Sequence, residues 1–478
     1  MSVENTHEGP ARIAGYMKAA RTVHFIGVGG VMMSSLAILT NRAGYTVTGS
    51  DRTPSKVTAG LEAEGITVFY AHDASNLAPD CGMVVYTVAI SADNPEFAAA
   101  AERHIPCVSR ADYLGWLMTA YQNRVGVAGM HGKSTCTSMC TQLFLEAEAD
   151  PTVLIGADFA PINGAFRLGG IRHFLFEACE YMDSFLDFRP TTAILLGAEL
   201  EHVDYFKSME QIEKSFAGFA SLTGPDGVTI VNADDPHSVK SAQTALACGG
   251  TGRLVTFGVQ TADADLHAEN PHLERGLPVF DLVVRGERWG TVKLRIPGIH
   301  HIYNALAAAA AADVSGLDRA PILRGLSRFA GVDRRMQYRG QVNGASVYDD
   351  YGHHPTEIRA TLTGASALVG TAPDGTPGRL VCVFQPHTYS RTASLYDSFL
   401  TAFDPADRVF LLDIYAAREV NSFGVSSAGL ASDIGCRAAY CASPAEAADA
   451  LRQVLRPGDV AVIMGAGDVI KVSRILFE

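Results

Sequence analysis

A lysine between a glycine and a hydroxyl residue follows a short apolar run in Val127-Ala-Gly129-Met-His131-Gly132-Lys133-Ser134-Thr135. In a tight glycine turn the backbone N–H groups can cradle phosphate oxygens. The Lys133 ammonium can neutralise their charge, and the Ser134 hydroxyl can ligate Mg2+. The common phosphate loop carries a further glycine five positions before the glycine of its Gly-Lys pair. Here Val127 stands there, so any phosphate loop is a shorter one. The competing reading is a solvent-facing lysine at a helix start.

Acidic residues follow further apolar runs. Glu177 and Glu180 come after His173–Phe176, and Glu199, Glu201, His202 and Asp204 come after Ile194–Leu196. These positions lie at or beyond the C-terminal ends of expected strands, where ligands gather in α/β sheets. Their hard oxygen atoms suit Mg2+. A single carboxylate there reads equally as a solvated cap; two acidic strand ends after a phosphate loop point to a metal site. Nearer the C-terminus, Val347-Tyr-Asp-Asp350-Tyr351-Gly-His353-His-Pro-Thr-Glu-Ile358 packs carboxylates, phenols and imidazoles into one turn after a strand. Phe384-Gln-Pro-His387-Thr-Tyr-Ser-Arg391-Thr392 repeats the form, with His387 and Arg391 as anion contacts. Near the N-terminus, Phe25-Ile-Gly27-Val-Gly29-Gly30-Val-Met32 reads as strand, glycine turn and helix. A nucleotide diphosphate can sit on such a helix N-terminus, with Asp51 as a ribose ligand. The third glycine of a dinucleotide fingerprint is replaced by Met32, and a turn that merely packs helix on sheet is the alternative. In Pro297–Ala312, His300, His301 and Asn304 open a helix whose alanines read as core.

These residues need strands to aim them. Short β-branched runs alternate with longer amphipathic stretches along all 478 residues, the pattern of βαβ units and parallel sheets. Three such series restart at Val23, Arg124 and Ala345, giving expected domains 1–120, 121–330 and 331–478. The fold class is therefore α/β: a Rossmann-like first domain, a central phosphate-loop domain with a small antiparallel β insert near 260–296, and a Rossmann-like third domain. Hydrophobic residues make up 47% and charged residues 19%, enough for large cores. A net charge of -13 argues against a nucleic-acid partner while allowing a local anion site. No apolar run approaches the roughly 20 residues of a membrane span. Nine scattered cysteines without a C-x-x-C pair suggest a reducing, cytoplasmic setting.

With these residues in hand, the chain resembles the Mur ligase family over its whole length. His24–Gly30 is similar to that family's N-terminal glycine motif, and Gly129–Thr135 to its short phosphate loop. Tyr348–Ile358, Gln385–Thr392 and Gly465–Asp468 resemble most the branch that joins L-alanine to UDP-N-acetylmuramate. The resemblance implies an ATP- and Mg2+-dependent acid–amino-acid ligase of peptidoglycan precursor synthesis, a monomer or homodimer whose domains close. It implies that Gly129, His131, Gly132, Lys133, Ser134 and Thr135 hold the nucleotide phosphates, with Ser134 on one Mg2+. Glu177 and His202 would ligate a second Mg2+, and Asn304 would contact adenine. Arg335, Asp350 and Tyr351 would place ATP and the amino acid. His353 would lie near the reacting groups, and His131 and Arg391 would contact substrate or intermediate. Gly27, Gly29, Gly30, Ser50 and Asp51, with His72 and Thr87, would hold uridine diphosphate. Departures from the family pattern stand at Met130, Ser134, Gly197, Glu201, His301 and Thr388. A ligase with another amino donor, a weakened nucleotide-binding paralogue and a nicotinamide oxidoreductase are the competing readings.

Overall fold

A computed structural model describes residues 4–88, 90–201, 205–274, 276–417 and 419–477. His202, expected at the metal site, lies outside the described residues. The chain divides into two compact units, one of Met1–Glu269, Asp281–Gly290 and Tyr303–Leu326, the other of Asn270–Phe280, Thr291–Ile302 and Ser327–Glu478.

The first unit holds one α/β sheet and most of a second. In the first, β1 (Thr22–Ile26), β2 (Thr46–Ser50), β3 (Thr67–Phe69), β4 (Cys81–Tyr86) and β5 (Cys107–Ser109) run in the order β3-β2-β1-β4-β5, all parallel. All five residues of β1 are buried, as expected of a central parallel strand covered on both faces. Ile26 pairs with both Ser50 and Tyr86, so these three strand ends lie level. The glycine turn after β1 therefore opens where the strand order reverses, the place at which doubly wound sheets bind ligands.

The second sheet contains β6 (Asn123–Ala128), β7 (Thr152–Phe159), β8 (Gly164–Arg167), β9 (His173–Glu177), β10 (Thr192–Leu195), β11 (Gly224–Asn232) and β12 (Thr251–Gly258). It continues into β13 (Leu266–Glu274), β14 (Leu277–Val284) and β15 (Glu287–Lys293), in the order β15-β14-β13-β12-β11-β10-β6-β9-β7-β8. The last three strands fall where an antiparallel insert was expected. Arg285 and Gly286 join β14 to β15 at φ 48° and 78°, the two positive φ values that a two-residue type I′ hairpin requires. One apolar cluster runs from Phe25 and Tyr113 through Tyr121 to Phe174, Phe185 and Phe216. The first two sheets thus share a core, and the chain passes between them at Tyr121, itself part of it.

The helix Lys133–Glu146 is mostly buried although it carries Ser134, Thr135, Thr137, Ser138 and Thr141. Thr137 and Thr141 satisfy their hydroxyls by donating to the carbonyls of Lys133 and Thr137, both at 2.8 Å. Ala305–Ala312 are fully buried, as the alanine run implied.

The second unit contains β16 (Gln337–Val342), β17 (Ala345–Asp350), β18 (Leu380–Phe384), β19 (Arg408–Leu412), β20 (Ala438–Cys441) and β21 (Val460–Met464), in the order β16-β17-β21-β18-β19-β20. β16 is an antiparallel edge strand, turned into β17 by Asn343-Gly344 at φ 52° and 80°. The other strands are parallel, and Asp350, Met464, Phe384 and Leu411 lie level across the sheet. No helix among the described residues is long and apolar enough to cross a membrane.

Candidate active site

In the second sheet, register brings three strand ends together. Ala128 pairs with Leu195, and Val127 with Glu177. The loops that leave these ends hold the lysine and the carboxylates. Gly129 has φ 148°, and a Cβ there would meet Leu196 Cβ at 2.8 Å. Met130 N donates to Gly197 O at 3.0 Å, stitching the loop to the neighbouring strand end. Gly132 lies in the left-handed region at φ 82° and caps the helix Lys133–Glu146. A Cβ on Gly132 would come within 2.6 Å of Asn304 Oδ1, so Asn304 packs directly against the turn. Asn304 lies on the first turn of the helix His301–Val314. Thr135 is buried on the first turn of Lys133–Glu146.

The Lys133 ammonium donates to Gly129 O at 2.7 Å, Met130 O at 3.1 Å and Glu180 Oε1 at 3.0 Å. Burial works against its charge, yet the carboxylates of Glu180 and Glu177 hold its pKa above the usual lysine value. The Ser134 hydroxyl donates to Glu177 Oε2 at 2.8 Å, and Gly156 N donates to the same oxygen at 2.9 Å. Two hard oxygen donors thus meet beside the lysine. They fit a small divalent cation whose remaining ligands are water and phosphate oxygens. No larger His, Cys, Asp and Glu group able to hold a metal occurs among the described residues. His131 Nε2 lies 3.6 Å from both Glu199 and Glu201.

In the first sheet, Gly27 at φ 81° donates its N–H to Ser50 O at 2.8 Å, and a Cβ there would meet Thr87 at 2.9 Å. Gly29 N donates to Asp51 Oδ2 at 2.9 Å, and Gly30 precedes the helix Val31–Arg42 as its cap. Asp51 therefore lies under the turn, not at a distance from it. Ser50 is fully buried and donates its hydroxyl to Glu96 Oε2 at 2.7 Å. Glu96 also accepts from Asn76 at 2.7 Å and faces His72 at 2.8 Å and His24 at 3.3 Å. Burial pushes the Glu96 pKa up, but the hydrogen bonds from His24, Asn76 and Ser50 outweigh it and leave it lowered. Sequence reading did not reach Glu96; its signal is Asn94-Pro95, a capped helix start that aims the next residue inward.

In the second unit, Asp350 ends β17, Tyr351 and His353 follow it, and His387 follows the level end of β18. Asp350 is buried and accepts from Met336 N and Gly352 N, both at 2.8 Å. Burial raises its pKa, against the pull of Arg335. The Tyr351 ring lies 4.8 Å from the Arg334 guanidinium and 5.4 Å from that of Arg335. His353 is 5.7 Å from the Tyr351 ring and 6.0 Å from the His387 ring. Burial lowers the His353 pKa, the Arg391 charge lowers it further, and Glu357 opposes both. Glu357 accepts from His353 N at 3.0 Å and His354 N at 3.3 Å. Burial alone would raise its pKa, but His353, Arg335 and these N–H groups hold it down at about 2. Glu357, Arg334 and Tyr415, which stacks on His387 at 5.4 Å, were missed as individual residues. The signal for Glu357 is a capping box, His354-x-x-Glu357. Thr388 sits at φ 62°, ψ 146°, a strained conformation for a β-branched residue that costs about 1–3 kcal/mol.

Family comparisons cover the same segments. The Mur ligase family catalytic domain matches residues 22–122, the Mur ligase middle domain 127–312, and the Mur ligase glutamate ligase domain 334–467. This chain belongs to the Mur ligase family. A UDP-N-acetylmuramate–L-alanine ligase of Agathobacter rectalis is 42% identical to this Mur ligase over 460 residues, 95% of this chain and 97% of that one. Among solved structures, the UDP-N-acetylmuramate–alanine ligase of Thermotoga maritima matches with a TM-score of 0.76 and 28% identity, over 95% of this chain and 98% of that one. A murein peptide ligase of Psychrobacter arcticus matches with a TM-score of 0.68 and 25% identity, over 96% and 98%. The three-part α/β fold of this Mur ligase, built on parallel sheets without a closed barrel, agrees with these neighbours and with the fold read from the sequence.

Proposed function

We propose that this Mur ligase joins L-alanine to the carboxylate of UDP-N-acetylmuramate, with ATP as the energy source, in peptidoglycan precursor synthesis in the cytoplasm. The observation that carries the ATP-dependent reaction is the loop Gly129–Ser134, whose lysine and hydroxyl stand beside Glu180 and Glu177. The choice of acid and amine rests on the full-length likeness to the Agathobacter rectalis ligase.

A carboxylate is a poor electrophile because its charge repels an amine. In the proposed reaction a carboxylate oxygen of the sugar acid attacks the γ-phosphorus of ATP, the bond to the β-phosphate oxygen breaks, and ADP leaves. The alanine amine then attacks the acyl carbon, and the C–O bond to phosphate breaks. Amide and phosphate are the products, and the amine proton passes to a neighbouring base. Lys133, Gly129, His131, Gly132 and Thr135 would hold the phosphates, with Lys133 offsetting charge that spreads over the transferring group. Ser134 would hold one Mg2+ and Glu177 with His202 a second, and when bound these ions would supply Lewis-acid stabilisation of phosphate charge. Asn304 would meet adenine. Gly27, Gly29, Gly30 and Asp51 would hold uridine diphosphate, with Ser50 acting from beneath through Glu96. Arg335, Asp350 and Tyr351 would place ATP and the amino acid, Arg391 would contact substrate, and His353 would take the amine proton.

The test is an omission assay. With ATP, Mg2+, UDP-N-acetylmuramate and L-alanine together, ADP and the amide should form in equal amounts, and leaving out either substrate should stop both. Amide formation with a free murein tripeptide as the amine but not with L-alanine would instead favour the murein peptide ligase reading, which the Psychrobacter arcticus neighbour supports.

A further inference from the structure

An ammonium has three donors, and in this loop they go to Gly129 O, Met130 O and Glu180. Both Glu180 oxygens lie 3.0 Å from Lys133 Nζ. The Glu180 side chain is 0% exposed, and that of Lys133 is 14% exposed. Glu177 adds a second carboxylate, already committed to Ser134 and Gly156. Lys133 is thus outnumbered by carboxylates, and the pair is only weakly screened by bulk water. A polyanion entering here meets one cation whose charge is already neutralised and two carboxylates that repel it.

We propose that Glu180 is the counter-ion that makes this loop refuse bare nucleotide: because it neutralises Lys133, a triphosphate is accepted only together with a divalent cation. This rests on the phosphate-loop reading above and adds a specificity role for a residue that touches neither phosphate nor metal. Glu180 acts through Lys133 and is a positioning residue. Lys133 bound to two carbonyls and a carboxylate is also held at the mouth of the turn, so that the same contact fixes its place.

Isothermal titration calorimetry on the full chain tests this, with ATP in excess EDTA and ATP in excess Mg2+, for wild type and Glu180→Gln. Glutamine keeps the shape and an acceptor for Lys133. Wild type should bind metal-free ATP about tenfold or more weakly than Mg-ATP, and E180Q should recover about tenfold in metal-free affinity while Mg-ATP binding changes little. Unchanged metal-free affinity in E180Q overturns the proposal. So does a loss confined to Mg-ATP, which would make Glu180 a metal ligand. If wild type binds ATP in neither condition, the phosphate-loop reading itself fails. Should E180Q not fold, K133M and K133M/E180Q supply the same comparison: the double variant should bind metal-free ATP more tightly than K133M, and equal affinities overturn the proposal.

Discussion

Lys133→Ala removes the cation from a buried pair, and its effect can be worked out from the contacts. Lys133 and Glu180 are 3.0 Å apart with side chains 14% and 0% exposed. Removing one member of such a pair leaves the other charged in a poorly solvated place, which costs about 3–5 kcal/mol. At roughly 2 °C per kcal/mol for a large domain, the unfolding midpoint should fall by roughly 6–10 °C. Activity should fall further: losing a preorganised charge that stabilises the transferring phosphoryl group costs about 10²–10³ in turnover. The double variant K133A/E180Q separates the two effects. It removes both buried charges, so most of the lost melting temperature should return while turnover stays low. Differential scanning calorimetry and a coupled ADP assay read both quantities. A K133A protein that melts like wild type would show that the pair contributes no stability. One that keeps near wild-type turnover would refute the role given to the loop.

Glu177→Ala should raise the Mg2+ concentration needed for half-maximal rate, since it removes the carboxylate that meets the Ser134 hydroxyl; an unchanged metal titration would contradict that assignment. Asn304→Ala should raise the KM for ATP without changing that for UDP-N-acetylmuramate, because Asn304 packs on Gly132. His353 has a pKa lowered from 6.5, so its imidazole stays neutral below that pH and the acid limb of the rate profile should break under pH 6.5 and vanish in His353→Ala. Glu357, held at about 2 against an ordinary 4.5, contributes stability that is fully present above about pH 4.5 and is lost as pH falls towards 2; Glu357→Gln should flatten the melting temperature across that window.

The parallel sheets were legible because buried strands such as Val381–Phe384 and Val460–Met464 are continuous apolar runs, and the phosphate loop because glycine, lysine and serine stand in fixed order. Asp350, Tyr351 and His353 could be placed at a strand end for the same reason. What sequence order hid was mostly tertiary. Nothing adjacent to Glu180 announces that it will turn onto Lys133 and not outward, and Ser50 sits level with the glycine turn yet commits its hydroxyl inward to Glu96. The two guanidiniums around Tyr351 come from a turn whose Arg334 and Met336 take positive φ values that neither residue type suggests. The shared core of the first two sheets was hidden too, since the apolar residues of Tyr113–Tyr121 read equally well as the end of one domain.

The central claim is that ATP activates the sugar-acid carboxylate by phosphorylating it. UDP-N-acetylmuramate carrying ¹⁸O in both carboxylate oxygens, incubated with the protein, ATP, Mg2+ and L-alanine, tests it directly by mass spectrometry of the released phosphate. One ¹⁸O atom should appear in phosphate for each amide formed, and the other should remain in the amide. Amide formation with unlabelled phosphate, or with the label in AMP, would contradict the account.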